Sequence, residues 1–416
     1  MQKREFLRTL GGVSLGAFLA PGTLARYARL TPDALAREDA FWDGIRAQYR
    51  LTPDYINLEN GFFCLQAEPV LEAFVGHARR INYEASRYMR TVQAENKAKV
   101  RARLAGLVGC TPEEVIITRN TTESLDTVIA GHDWKAGDEA VMAEQDYGAM
   151  LDMFRVTARR HGTVNRVVSL PLDPRSDDEI VQLYANAITP RTRLLMVCHI
   201  VNISGQVLPV RKIAAMAHAR GVAVMVDGAH AVGQLDFRIP DLDVDYYGAS
   251  LHKWLGTPLG AGLLYVKRER IAGLWPLFGD MGFADEDIRK LNHTGTHPPH
   301  VDLAIANALD FHEAIGSARK EARLRHLQRS WTSRVRGVPR LRVNTPSDEA
   351  RTCAIANVGV EGMKPGDLMK VLFDRYRIWT VAIDGAGVHG VRVTPHLFTT
   401  TSELDALVDA LTALAA

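Results

Sequence analysis

The sequence predicts an α/β fold: a large lobe on a mostly parallel, seven-stranded sheet flanked by helices, followed by a smaller α+β lobe at the C-terminus. The first observation behind this is an alternation. From Glu114 onward, short apolar and β-prone runs take turns with helical ones, the pattern of a sheet covered on both faces. The second is where it stops. After Thr296 the alternation gives way to one long helical stretch, His300 to Ile315, and the chain ends in another, Ser402 to Ala415.

Taken in order, Thr31-Pro32-Asp33 opens a helix from Ala34 to Tyr49, with Leu35, Phe41, Ile45 and Tyr49 spaced for one face. The strands expected next are Val115 to Thr118, Ala140 to Ala143, Asn165 to Leu170, Leu194 to His199, Ala223 to Asp227, Tyr246 to Ala249 and Leu263 to Val266. Between them, helices are expected at Thr122 to Ala130, Gly148 to Arg160, Asp177 to Ala187 and Arg211 to Arg220. The divisions expected are an export-like segment at 1–25, an N-terminal segment at 26–60 associated with the small lobe, a large lobe at 61–298 and a small lobe at 299–416. No internal repeat, low-complexity linker or membrane span interrupts them.

Composition narrows the function. With 416 residues, 47% of them hydrophobic and 24% charged, the chain has the make-up of an ordinary soluble globular protein, long enough for one large core and a smaller lobe. A net charge of +2 and the lack of a basic stripe with interleaved aromatics argue against a nucleic-acid binder. Cys64, Cys110, Cys198 and Cys353 lack the spacing of a zinc site, and no metal is expected. Cys198 sits in an apolar run as inert core, and Cys353 falls in an expected strand. Nothing in the spacing asks for a disulfide.

Three stretches carry chemistry. Asn120-Thr121-Thr122-Glu123 follows a strand and opens a helix, so amide groups and the helix dipole face the loop and favour an anion; capping by Asn120 or Thr121 is the plain alternative. Val226-Asp227-Gly228-Ala229-His230 puts a carboxylate at the tip of a buried strand, where a cationic partner is expected. Ser250-Leu251-His252-Lys253, followed by Gly256-Thr257-Pro258-Leu259-Gly260-Ala261-Gly262, sets one lysine between two strands. Burial there would lower the amine's pKa and make it a nucleophile toward an aldehyde; taken alone, a surface lysine at a strand end is the plainer alternative.

Ser-x-His-Lys followed by Gly-x-Pro-x-Gly-x-Gly resembles the cofactor-lysine segment of class V aminotransferases, pyridoxal-phosphate enzymes of fold type I. The resemblance runs from about Ile56 to the end. It implies that Lys253 carries the cofactor and then moves protons at the substrate α-carbon, with Thr121, Thr122, Ser250 and His252 around the phosphate. It further implies Asp227 at the pyridinium nitrogen, Ala229 against the ring, and Asn202 and His230 near the phenolic oxygen. The residue stacked over the ring is Gln145 or Tyr147, with Tyr147 favoured as the nearby aromatic. The Gly295-Thr296 turn resembles one that reaches a neighbouring subunit's phosphate, which implies a homodimer with shared active sites. Asn60 and Gly61 resemble a loop lining the substrate site, with Glu59 departing from the family's asparagine; a simple turn is the alternative. Arg392 resembles the arginine that grips the substrate carboxylate with a two-pronged hydrogen bond.

Desulfurases of this family need a nucleophilic cysteine shortly before that arginine, and Arg375 to Gly390 holds none. His230 and Asp146-Tyr147-Gly148-Ala149 instead resemble the isopenicillin N epimerase-like branch. The expected function is therefore epimerisation or amino-group transfer at the α-carbon of an amino acid or of an amino-acid unit in a peptide natural product. A C–S or β-elimination lyase is the alternative, and a non-catalytic binding protein on the same fold is a second. Tyr88, His293 and His396 are candidates for a second base. Lys3-Arg4 and the weakly apolar run from Leu10 to Ala20 resemble a twin-arginine export signal, with Lys3 in place of the first arginine, which points to the periplasm; an ordinary amphipathic helix and a cytoplasmic protein are the alternative.

Overall fold

The computed structural model describes Tyr27 and residues 29–416; the export-like segment at 1–25 lies outside the described residues. In chain order the strands are β1 (Ile56–Asn57), β2 (Val115–Thr118), β3 (Glu139–Ala143), β4 (Val164–Val168), β5 (Thr192–Cys198), β6 (Ala223–Asp227), β7 (Tyr246–Ser250) and β8 (Gly262–Val266). The small lobe adds β9 (Leu341–Val343), β10 (Ala356–Val360), β11 (Ile378–Trp379), β12 (Val381–Gly385) and β13 (Val388–Val393). Each strand expected for the large lobe is present to within two residues at either end.

The large sheet has the order β2-β8-β7-β6-β5-β3-β4. Pairs β3/β4, β3/β5, β5/β6 and β6/β7 are parallel, whereas β8 runs antiparallel to both β2 and β7. Its apolar runs sort by the two-residue period of a strand. Val224 and Val226 enter one core layer with Leu195 and Val197, while Met225 enters the other with Leu194 and Met196. Both faces are thus buried, which is why these strands read as continuous hydrophobic runs.

The first expected helix is two. Pro32–Leu35 is capped by the Thr31 hydroxyl, and Asp39–Arg46 restarts after Glu38, whose φ of −86° and ψ of 81° leave the helical region. Leu35, Phe41 and Ile45 nonetheless bury one shared face. The long helix Pro299–Ile315 also departs from expectation. It is buried nearly all round, Asp302, Asp310 and His312 included, and it packs between the helices Glu68–Glu84 and Gln93–Val108 against the large-lobe core instead of opening the small lobe. The small lobe therefore begins within the next helix, Ser317–Val335, and has its own core under the sheet β12-β13-β10-β9.

The N-terminal segment is stitched to that lobe. Strand β1 pairs in parallel with β11, Glu59 bridges to Thr394, and Arg46 makes a two-pronged ion pair with Glu403. All four cysteines are free thiols. Cys353 lies ahead of β10, fully buried, and not inside a strand as expected. Among the described residues no helix is long and apolar enough to cross a membrane.

Candidate active site

A cavity of about 290 Å³ opens where the carboxyl ends of β2, β5, β6 and β7 meet. Ligands of open α/β sheets bind at this end of the strands.

One wall is built for an anion. Asn120 caps the eleven-residue helix Thr121–Gly131, its side chain accepting from the Glu123 amide at 2.9 Å, so capping and anion binding share one loop. The Ser250 hydroxyl, at the end of β7, accepts from the Thr121 amide at 3.0 Å and lies 2.8 Å from the Thr121 hydroxyl. Thr122 and His252 line the same wall. Burial, followed by the charge of Lys253, pushes the His252 imidazole down to about 4, so the ring is neutral; its Nδ1 is buried with no hydrogen-bond partner.

The opposite end presents a carboxyl. Asp227 closes β6, buried, with one oxygen accepting from the Ala229 amide at 3.0 Å. It forms no ion pair among the described residues, and burial pushes its carboxyl upward. The turn after it depends on glycine: a Cβ on Gly228 would stand 2.0 Å from the Tyr247 ring, so any side chain there would have to displace that buried ring. Ala229 and Asn202 line the cavity beside Asp227, and Asn202 Oδ1 is buried and unpartnered.

Lys253 lies between these ends. Its amine is buried and pushed down to about 8, chiefly by desolvation, although Asp227 opposes the shift. The Nζ atom stands 3.1 Å from His230 Nε2, and His230 Nδ1 accepts from the Trp254 indole N–H at 3.2 Å. An indole nitrogen only donates, so Trp254 fixes His230 in the tautomer whose proton is on Nε2. That proton points at Lys253 and needs a lone pair there, which only an uncharged amine has. Trp254 thereby favours the neutral form of Lys253 through His230.

Trp254→Phe should free the imidazole to carry its proton on Nδ1 and accept from an ammonium. The Lys253 pKa would then rise above its value of about 8. In cofactor-free protein, acylation of Lys253 by an amine-reactive reagent, followed by mass spectrometry, should reach its midpoint at higher pH than in wild type. An unchanged midpoint would refute the tautomer argument.

Tyr147 lines the cavity, whereas Gln145 is buried behind it, donating to the Leu170 and Ala386 carbonyls and accepting from the Leu170 amide. Of the two stacking candidates only Tyr147 is available. Three substrate-side expectations are corrected. Arg392 is fully buried behind the cavity wall, and its fork is taken: Nη2 and Nε donate to the two Glu59 oxygens at 2.6 and 3.2 Å. Asn60 spends its amide on Thr394 and Asn57 and does not line the cavity that holds Lys253. Gly61 serves Arg392, because a Cβ there would lie 3.1 Å from Nη2.

Thr296 is exposed and lies outside the cavity of its own chain. None of the second-base candidates reaches the cavity. Tyr88 accepts from Asn96 in the interior, His293 lies near Asp280 at the surface, and His396 is buried and stacked on Trp254. The nearest titratable neighbour of Lys253 is instead His230. Trp254 and Phe62 were missed by sequence reasoning; their roles depend on neighbours brought in by folding, and only the Glu59 departure was visible in the chain itself.

Comparison with known proteins places this geometry. A family profile described as aminotransferase class-V matches residues 65–404. An isopenicillin N epimerase of Amycolatopsis lactamdurans is 30% identical over 389 residues, covering 89% of this chain and 98% of that protein. A probable cysteine desulfurase of Halobacterium salinarum is 29% identical, covering 86% and 91%. Among solved structures, the complex of the cystine C–S lyase C-DES with cysteine persulfide superposes with a TM-score of 0.77 at 23% identity, covering 86% of this chain and 97% of that one. A C-DES variant with glycine covalently linked to its PLP cofactor gives 0.80 at 23% identity, covering 88% and 98%. The shared architecture is fold type I, and the chain belongs to the aminotransferase class-V family.

Proposed function

We propose that the cavity binds pyridoxal 5′-phosphate and that the protein acts at the α-carbon of an amino acid, or of an amino-acid unit in a peptide natural product, by epimerisation or amino-group transfer. The observation that carries this reading is the joint placement, in one cavity, of a buried amine of depressed pKa, a buried carboxyl without an ion pair among the described residues, and a helix N-terminus flanked by hydroxyls. The residues present fit the group. His252 Nδ1 and Asn202 Oδ1 are buried polar atoms without partners; a phosphate oxygen would accept from the imidazole N–H, and a ring hydroxyl would donate to the amide oxygen.

Thr121, Thr122, Ser250 and His252 would hold the phosphate, Asp227 the ring nitrogen, and Tyr147 and Ala229 the two ring faces. When bound, the cofactor supplies an electron-poor ring that accepts the electron pair left when a substrate carbon loses a proton. The chain's own part is acid–base work. With its pKa pushed down to about 8, the Lys253 amine releases its proton far more readily than an ordinary lysine, and in the neutral form it can take a proton from carbon while His230 at 3.1 Å holds it in line. Phe62 and Phe63 wall the cavity and restrict water.

A C–S or β-elimination lyase is the second reading, favoured by the likeness to C-DES. A desulfurase relay is disfavoured because Cys198, the one cysteine lining the cavity among the described residues, is buried with its thiol pushed well up, and Cys353 is buried elsewhere. In deuterated water, holoenzyme with amino-acid or peptide substrates should give α-deuterated product of inverted configuration, or a ketoacid with pyridoxamine phosphate. Release of pyruvate or sulfide instead would overturn the α-carbon reading in favour of the lyase. The same reading takes the Gly295-Thr296 turn as one subunit's contribution to a second copy's phosphate site in a homodimer, and residues 1–25 as a periplasmic export signal.

A further inference from the structure

The two-pronged donor set of Arg392, the part of such a site suited to a substrate carboxylate, is filled from within the chain. Glu59 accepts from Arg392 Nη2 at 2.6 Å and Nε at 3.2 Å, from the Phe62 amide at 3.0 Å, and from the Thr394 hydroxyl at 3.5 Å. Arg392 Nη1 is used as well, donating to the Asn202 carbonyl at 3.1 Å. The side chains of Arg392 and Glu59 are 0% and 8% exposed. Over the guanidinium lies the Phe62 ring, 4.2 Å away, which also lines the cavity and stands 5.9 Å from Lys253 Nζ. A molecule entering beside Lys253 meets an aromatic ring where a free cation would be needed to hold a carboxylate.

Displacing Glu59 would strand its charge in a buried place, and losing a buried charge's partner is strongly unfavourable. Resting on the cofactor reading above, we propose that Glu59 sets specificity: by occupying Arg392 it directs the cavity to a primary amine whose neighbouring carbonyl is an amide and not a free carboxylate, as at the amino-terminal residue of a peptide. The exposed Phe63 and Leu259 at the cavity mouth offer apolar surface for the continuing chain. Discrimination then comes from a competitor built into the site as much as from attraction.

The test uses holoenzyme of wild type, Glu59→Gln and Glu59→Asn, titrated with alanine and with alaninamide while the visible absorbance of the bound cofactor is followed. Wild type should bind alaninamide at least about tenfold more tightly than alanine, and Glu59→Asn, which frees the guanidinium, should bring alanine to equal or tighter binding. Glu59→Gln keeps the shape of the pair and serves if the shorter side chain does not fold; it should move alanine affinity in the same direction. Equal affinities in wild type, or an alanine affinity unmoved in both variants, would overturn the assignment while an intact visible band leaves the cofactor reading standing. A wild-type protein without such a band after reconstitution would overturn both.

Discussion

Replacing Lys253 with alanine is expected to abolish the borohydride-sensitive visible absorbance of the holoprotein and to lower turnover by at least about a thousandfold, within the range that a positioned acid–base group contributes. The side chain does two things at once. It is the buried amine of the cavity, and on the proposed reading it would also serve as the base toward the substrate carbon. His230 does not replace it, because burial holds that imidazole well below the usual histidine range and its Nδ1 is occupied by Trp254. Absorption spectra before and after borohydride, with mass spectrometry of the Lys253 peptide, read the first effect, and initial rates read the second. A variant that keeps the borohydride-sensitive band would refute the assignment of Lys253.

Arg392→Met should be the most destabilising single change at the site, by about 3–5 kcal/mol, because it leaves Glu59 charged and buried without its partner. Methionine retains most of the volume, so the loss reports charge more than a cavity. Adding Glu59→Gln should recover much of it, since the doubly substituted protein buries no unpaired charge. Denaturant unfolding of the wild type, both single variants and the double variant forms the cycle that isolates the coupling. A loss below about 1 kcal/mol for Arg392→Met would place the pair in water and remove the basis for a role in specificity.

What could be read from the chain, and what could not, divides by sequence distance. The strands of the large sheet were legible because both faces are buried, so Val224-Met225-Val226 is apolar at every position. Asn120, Asp227 and Lys253 were legible because each sits next to the strand end that positions it. The break at Glu38 was hidden, since the apolar spacing of Leu35, Phe41 and Ile45 continues across it. The helix Pro299–Ile315 was found but misplaced: its all-round burial depends on two other helices that its own sequence does not name. Arg392 was assigned to a substrate because its true partner, Glu59, lies 333 positions away. Trp254 adjoins Lys253 in sequence, yet its influence passes through an imidazole on a different strand end.

One antiparallel strand has a consequence for how the lysine is delivered. Because β8 runs against β7, Ser250 and Gly262 are paired neighbours, and the chain between them leaves the sheet and returns to the same spot. Lys253 thus rides on a short closed tether whose two ends are fixed together, so the cost of loop closure is met when the sheet forms. When the amine lets go of one partner it has little volume to wander in. With a cofactor bound, that tether would keep the amine at a high effective concentration in the cavity.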